Sequence, residues 1–528
     1  MRLDCRRHES LPRLSWCAHL REGDDRVSLL HGPWVETRED WFVAGAWDGA
    51  FDRGRFDLAP TLLGSGGRAT AEGLLLCTAS DLVVPLYALR GEAGLWVSNS
   101  LVFLLVRAGE SLDPRYPHYV DDLAEQRRWG LSRRDSALPT SSGNGVVVHA
   151  FTNLAISPDL TVRPLPKASG AEPRNFSEYD RLLNETIAAV TDNASDANRS
   201  IGYRPVSMIS RGYDSVASTA LAARVGCKEA ITFAKLDPDD RYPDDGGSQI
   251  AALFGMQTRE YSRLAFKRLP GLPEAEFCAC PNGSYVQMAV LDDQLEGALL
   301  FEGTFGDAIW HLDPREHPPQ LKRLRRGMWR TLIGTSAAEF RLRVGFIAFP
   351  VPYIGAVHHQ KICKIANSRE MQPWRIGGSY DRPIPRRIAE EAGVPRDWFG
   401  QVKQAGLHYH FYRHGLLPQS QADFAQYYES TRRTESLPQR LRFGAMRALY
   451  AVCAAGVKTL NALGDVFGWR TVFPVPVHGR YETAVDPLQF SFHWGTDRIR
   501  DRYEVARHVE GSGENSESAF RAVGSGGL

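Results

Sequence analysis

The residues best suited to chemistry lie in one hexapeptide, Ser210-Arg211-Gly212-Tyr213-Asp214-Ser215. It follows a short apolar run, VSMIS, and precedes VASTALAARVG, which has helical spacing and ends in Gly226. A turn between a strand and a helix exposes unpaired amides at the positive end of the helix dipole. A pyrophosphate can settle there on backbone N–H groups and on the hydroxyls of Ser210 and Ser215. Gly212 permits close approach of the backbone. Asp214 repels anions, so its natural role is to hold Mg²⁺ against the phosphates. The same residue types also make ordinary turns and helix caps.

A second segment shares this chemistry. Phe301-Glu302-Gly303-Thr304-Phe305-Gly306-Asp307 follows the run AVLDDQLEGALL, which reads as helix-like. Gly303 and Gly306 are candidates for a second phosphate loop. Asp307 is a candidate partner for Asp214 on the same metal ion.

These segments need a frame. WFVAGAW, LLLCTA, VVPLYAL and GLWVSNS, between Trp41 and Ala108, predict strands joined by turns. Ser141 to Pro173 predicts a further hairpin, then becomes rich in Pro, Gly, Ala and Ser, which places a domain boundary near Pro173. A helix is expected over Tyr179 to Asp192. Then VSMIS, its helix, the strand ITFAK and the helix GGSQIAALFG alternate as in a doubly wound parallel sheet. From Leu416 to Gly468 the chain reads as helical, and Gly511 to Leu528 as a disordered tail.

In these residues the chain resembles the asparagine-synthetase superfamily, whose ATP loop reads Ser-Gly-Gly-x-Asp-Ser. Here Arg211 stands at the first Gly. GTFGD is similar to the family's later Gly-x-Gly-x-Asp. Asp81 to Leu105 resembles its glutaminase-like domain, with Pro85, Leu86 and Tyr87 matching and Val84 departing. The likeness covers Trp41 to Gly406. It implies an α/β fold: residues 1–173 as an Ntn-hydrolase-like α+β sandwich, a degenerate glutamine-amidotransferase-like domain, and 174–420 as a doubly wound ATP-pyrophosphatase domain. A helical extension, 421–510, and a tail, 511–528, complete the expected layout. ATP and a carboxylate would give an acyl-adenylate and pyrophosphate, and an amine would then form an amide. ATP and Mg²⁺ are the implied cofactors. The partners would be a small-molecule or peptide carboxylate and an amine.

Further site residues follow from the resemblance. FGQVKQA looks like the segment carrying the family's catalytic lysine, which makes Lys403 a candidate to steady the departing pyrophosphate. AEFRLR looks like the family's Glu-x-Arg segment. Glu339 is therefore either a residue that orients a base or a salt-bridge partner of Arg341 or Arg343.

Three departures shape the expectation. Glutamine-using members need a cysteine after Met removal, whose amine and thiolate act together. Here Met1-Arg2 begins the chain and the nearest cysteine is Cys5, so glutaminase activity is not expected. Thr304 stands where asparagine synthetases carry a glutamate and β-lactam synthetases a tyrosine. Its hydroxyl is a poor base, which argues against aspartate amidation. The Arg211 guanidinium either reaches a phosphate or obstructs ATP, and electrostatics favours the former. The missing nucleophile is similar to the pattern of β-lactam synthetases and lasso-peptide cyclases. A natural-product or peptide cyclase and a degenerate scaffold therefore stand beside the ligase reading.

Composition narrows the field. Lys and Arg total 63 and Asp and Glu 62, a balance that gives no reason to expect nucleic acid. Arg447, Lys458 and Asn461 interrupt the apolar run from Ala445 to Leu463, so no membrane span is expected. The helical C-terminal part is expected either to close the acceptor pocket or to form a homodimer face. The eight cysteines, Cys278 and Cys280 included, read as reduced packing residues of a cytoplasmic protein. His408, His410 and His414 do not share a helix face, and His358 and His359 point apart, so neither set reads as a metal site. Tyr380 to Arg387 lines the acceptor site or is a structured loop.

Overall fold

The computed structural model describes residues 1–120, 122–123, 137–240, 242–279, 285–312, 335–378, 380–401, 416–431 and 490–508, with isolated positions between 445 and 463. Cys280, Lys403, His408, His410, His414, most of the helix expected from Ala445 to Leu463, and the tail 511–528 lie outside the described residues.

The chain opens with β1 (Arg2–Arg7), β2 (Trp16–Leu20) and β3 (Arg26–His31). β4 (Glu36–Thr37), β5 (Trp41–Trp47), β6 (Leu62–Thr70) and β7 (Gly73–Cys77) follow. Then come β8 (Leu86–Gly91), β9 (Gly94–Ser98), helix α1 (Leu101–Arg107), β10 (Ala137–Pro139), β11 (Gly145–His149), β12 (Asn153–Ile156) and β13 (Val162–Leu165). One sheet runs β1-β3-β2-β9-β8-β11-β10 and a second β13-β12-β7-β6-β5-β4.

Alternation along β2 shows how the two sheets meet. Trp16, Ala18 and Leu20 pack with Phe42, Ala44, Leu74 and Leu76 of the second sheet. Trp16 meets Phe42 edge-on at 5.0 Å and donates its indole N–H to Ser65 Oγ at 3.1 Å. Cys17, pointing the other way, joins the cluster under α1. The three opening strands were not among the expected elements. β1 reads RLDCRR, a charged strand at the sheet edge, and such a strand carries no apolar alternation.

The third sheet follows helix α2 (Phe176–Ala194). Its elements are β14 (Arg204–Met208), α3 (Tyr213–Arg224), β15 (Glu229–Ala234), α4 (Ser248–Leu253), β16 (Gln257–Ser262), β17 (Ala298–Glu302), α5 (Ala338–Val344) and β18 (Ile347–Pro350). Every pairing is parallel and the order is β16-β15-β14-β17-β18. The protein is thus a mixed α/β chain with a parallel sheet. From β14 the chain steps outward to β16, then returns to the other side of β14 to lay down β17. The direction of winding therefore reverses between β14 and β17, and a crevice opens at such a point outside the carboxyl ends of the strands.

The run from Ala289 to Leu300 is not one helix. It contains the end of a 3₁₀ turn, a single helical turn from Asp292 to Leu295, and Gly297 at φ 64°, which redirects the chain into β17. Ala298 and Leu300 enter one hydrophobic cluster while Leu299 and Phe301 enter another. A strand buried on both faces has a continuous apolar run and so imitates a helix in sequence. Six residues, Glu274 to Ala279, wind left-handed with φ between 40° and 51°, and nothing in the structure explains them.

After α6 (Pro383–Glu391), helix α7 (Ser491–Arg500) leads into a 3₁₀ segment, Asp501–His508. Tyr503 of that segment stacks on Phe103 of α1 at 4.9 Å and donates its hydroxyl to Glu339 Oε2 at 2.7 Å. Ser100 Oγ donates to Glu339 Oε1 at 2.6 Å and also accepts the Phe103 amide, capping α1. One buried carboxylate thus joins the first sheet's helix, the third sheet's helix and the end of the described chain. No helix among the described residues is long and apolar enough to cross a membrane. Cys5, Cys77 and Cys227 carry free thiols.

Replacing Glu339 by Ala leaves two buried hydroxyls without their acceptor. We expect a loss of about 3 kcal/mol in chemical denaturation.

Candidate functional site

The hexapeptide and the second glycine segment occupy the carboxyl ends of β14 and β17, on either side of the winding reversal. Around them Tyr213, Val216, Phe301, Phe305 and Gly306 are buried, whereas Ser210, Gly212, Asp214, Ser215, Glu302, Gly303, Thr304 and Asp307 keep partial exposure. A polar strip therefore surfaces between two apolar layers.

The first loop holds its own shape. Ser210 Oγ and Ser215 Oγ lie 2.9 Å apart. The Ser210 amide donates to Ser215 Oγ and the Gly212 amide to Ser210 Oγ, both at 3.1 Å. Gly212 precedes α3 with φ −73° and ψ 151°, and no side chain caps the helix there. The first-turn amides are therefore left to other acceptors. Asp214 sits in that first turn.

The second loop presses directly on the first. A Cβ at Gly303 would lie 2.4 Å from the Asp214 carbonyl carbon and 2.5 Å from the Ser215 nitrogen. A Cβ at Gly306 would lie 2.4 Å from the Asp214 carboxyl carbon. Both glycines are thus required for the loops to meet. Phe305, between them, takes φ 65°, which seats its ring 5.4 Å from Tyr353. Beyond that ring pair is a cavity of about 280 Å³ whose walls include Asp48, Thr61, Ser80, Thr186 and Tyr353.

The structure brings Asp214 together with the Gly303–Asp307 segment. Among the described residues, no group of three or more His, Cys, Asp or Glu could hold a metal ion. Two carboxylates, from Asp214 and Asp307, nevertheless suit Mg²⁺, which commonly takes one or two carboxylates and completes its shell with phosphate oxygens and water. Gly306 lying on the Asp214 carboxyl group is the cradle that keeps that side chain in place.

Arg211 turns its guanidinium away from the loop. Nε donates to the Gly246 carbonyl at 3.1 Å, and Nη2 stands 3.7 Å from Asp244. Its amide donates to Asp245 Oδ1 at 3.2 Å. Burial pushes the Asp245 carboxyl up to about 6, against the pull of Arg211 and Arg263. A grip by Arg211 on phosphate requires release from this turn.

Several positioning residues had no sequence signal. Tyr213 OH donates to the Tyr380 carbonyl at 3.0 Å, and Arg386 Nη2 donates to Tyr213 OH at 2.8 Å. The fully buried Arg386 guanidinium also lies over the rings of Tyr213 and Phe399, at 5.0 and 5.1 Å. Of the two readings of Tyr380 to Arg387, this supports structured chain, ending in α6 under the loop. The Gly400 amide donates to the Arg211 carbonyl at 2.8 Å. Lys403 follows three residues later in sequence, outside the described residues. Glu339 is buried, with both oxygens accepting from Ser100 and Tyr503. Arg343 pairs instead with Glu274 and Asp292.

Glu302 is a perturbed carboxyl beside these loops that sequence reasoning passed over. Its carboxylate accepts Thr304 Oγ1 at 2.7 Å, and Tyr285 OH lies 3.4 Å from the same hydroxyl. Burial, with Asp81 opposing charge, raises Glu302 to about 7. The available signal was its place: a carboxylate ending a buried strand beside the crevice. Cys5, by contrast, sits within β1 with its thiol pushed to about 11 by burial. No protein-family model matches the chain, and no curated protein matches it.

Gly303→Ala should cost about 1–3 kcal/mol in equilibrium unfolding, because the methyl group meets backbone and not a yielding side chain. A second expectation concerns pH. Folded Glu302 keeps its proton to about 7 while the unfolded carboxyl releases it near 4.5. Stability therefore falls as pH rises through that window. Comparing the thermal midpoints of wild type and Glu302→Gln across it should show a flatter profile in the variant, a difference of about 1–2 kcal/mol after solvent screening.

Proposed function

We propose that the chain is an ATP-dependent, AMP-forming enzyme that activates a carboxylate and passes the acyl group to an amine, in the manner of asparagine synthetase but without a glutaminase. The observation that carries this reading is the meeting of the SRGYDS and GTFGD loops where the parallel sheet reverses its winding. Under this reading the third sheet is the ATP-pyrophosphatase layer, and the two facing sheets are the Ntn-hydrolase-like sandwich. Cys5, in mid-strand with an inert thiol, supports the absence of a glutamine-cleaving nucleophile.

The triphosphate would lie across the start of α3. Gly212 admits it, while first-turn amides and the hydroxyls of Ser210 and Ser215 donate to its oxygens. Asp214 and Asp307 would hold Mg²⁺, which when bound offsets the negative charge gathering on the departing pyrophosphate. A carboxylate oxygen attacks the α-phosphorus. The bond from that phosphorus to the bridging oxygen breaks, and pyrophosphate leaves with the electron pair. Fixed amides in a half-buried crevice favour this charge shift because they need no reorganisation. Lys403, following Gly400 in the chain, is proposed to assist at the same oxygens. The amine then takes the acyl carbon and AMP departs. We place this activity in the cytoplasm.

The test is calorimetry with MgATP, followed by ATP–pyrophosphate exchange over a panel of carboxylates. We expect saturable binding that falls at least about tenfold (1.4 kcal/mol) in Asp214→Ala. Gly212→Ala makes the sharper probe. Its methyl group would touch only Ser210 Oγ at 3.3 Å and Ser215 Oγ at 3.8 Å. Unfolding should stay within about 0.5 kcal/mol of wild type while MgATP binding weakens about tenfold. Absence of binding at millimolar nucleotide, or exchange indifferent to Asp214→Ala, would rule the reading out.

A further inference from the structure

The carboxyl group of Asp48, just past the end of β5, borders the cavity behind the Phe305–Tyr353 ring pair. Its Oδ1 accepts the Thr61 amide at 3.0 Å, and its own amide donates to the Thr61 carbonyl at 3.1 Å. It forms no ion pair among the described residues. The cation that acts on it from a distance, Lys167, donates to Asn153 Oδ1 at 3.1 Å. Burial pushes the Asp48 carboxyl up to about 6, and neither the Thr61 hydrogen bonds nor Lys167 cancels that push. A carboxylate withdrawn from water is normally paired, so this one is short of a partner.

The cavity has room for that partner. It lies where the ends of β5, β6 and β7 meet α2 and the chain after β18, and it holds about 280 Å³. A single water needs about 10–15 Å³ and ligand pockets start at roughly 300 Å³, so the space suits a small organic molecule. One wall is polar. Asp48 and Thr61 are joined as above, and the next amide, of Leu62, donates to Ser80 Oγ at 3.0 Å. Thr186 of α2 also lines the cavity; it is 5% exposed, and its hydroxyl makes no hydrogen bond among the described residues. Leu182 and Ile354 supply apolar lining, and the exposed Glu185 adds a second negative charge at the rim.

We infer that this cavity is a binding site for a small aliphatic primary ammonium compound, its cation held by Asp48 and the neighbouring hydroxyl oxygens and its chain laid on the apolar lining. An ammonium group carries three donors and no acceptor, which matches a carboxylate set among hydroxyls. A guanidinium suits the place less well, because its fork needs both carboxylate oxygens and Asp48 Oδ1 is already engaged by Thr61. A bare metal ion also suits it less, since no group of three or more His, Cys, Asp or Glu among the described residues could hold one. The site is distinct from the phosphate loop, yet Tyr353 in its wall meets Phe305 at 5.4 Å, so an occupant sits one ring pair away from the Gly303–Gly306 turn.

Calorimetry on the full chain, without nucleotide and at constant ionic strength, compares n-butylammonium, tetramethylammonium and n-butanol. We expect n-butylammonium to saturate with a Kd below about 10 mM, and the other two to bind at least about tenfold more weakly, since one lacks N–H donors and the other lacks charge. Asp48→Asn keeps an oxygen for the Thr61 amide and should weaken n-butylammonium at least about tenfold. Glu185→Gln removes the same charge from the solvated rim and should cost about threefold at most. Thr186→Val should cost about threefold or more. Thermal unfolding shows which variants fold. Absence of saturation below about 10 mM overturns the site, as does n-butanol or tetramethylammonium binding as well as n-butylammonium. Equal losses in Asp48→Asn and Glu185→Gln overturn it too, because the attraction is then diffuse, and so does unchanged binding in Asp48→Asn. If Asp48→Asn does not fold, the wild-type comparison of the three probes and the Thr186→Val titration decide. The titration is independent of ATP–pyrophosphate exchange, so its failure leaves the carboxylate-activating reading standing.

Discussion

The turn from Gly303 to Gly306 lies against the first turn of α3 with no room for a side chain between them, and the placement of Asp214 beside the second loop depends on that contact. A methyl group at either glycine would overlap Asp214 by more than an ångström relative to ordinary packing. The contact joins strands that are neighbours in the sheet but far apart in sequence. It also sets Asp214 against Gly303 and Gly306, although the two loops belong to separate crossovers.

Successive supports hold this contact in place. The nearest is internal to the first loop, where two serines share hydrogen bonds. Outside it, Arg386 supports Tyr213 from below and Gly400 is pinned to the Arg211 carbonyl. Farther out, Glu339 gathers three distant parts of the chain on one buried carboxylate. A buried carboxyl group of this kind is costly to strip of its partners.

Within the parallel sheet β14, α3, β15 and α4 were legible, because VSMIS, ITFAK and their helices carry short apolar runs with clear glycine stops. Both loops were legible as loops, since Gly, Ser and Asp clustered there. Three things were not. β1 is an edge strand dominated by charge, and β17 is buried on both faces, so neither shows period-two alternation. The supports at Tyr213, Arg386 and Gly400 join positions over 170 residues apart, and no local pattern encodes that pairing. Glu302 was visible as a letter but not as a carboxyl with a raised pKa, because its environment is built partly by Asp81 on the turn between β7 and β8.

The hydrogen bonds between Ser210 and Ser215 bear on how any guest is received. Both hydroxyls are hydrogen-bonded within the loop, so a ligand, under the proposed reading, would exchange one set of bonds for another and gain only the difference. Selectivity then comes from geometry: a tetrahedral oxyanion group can engage both hydroxyls and the helix amides together, whereas a water molecule can replace only part of the set.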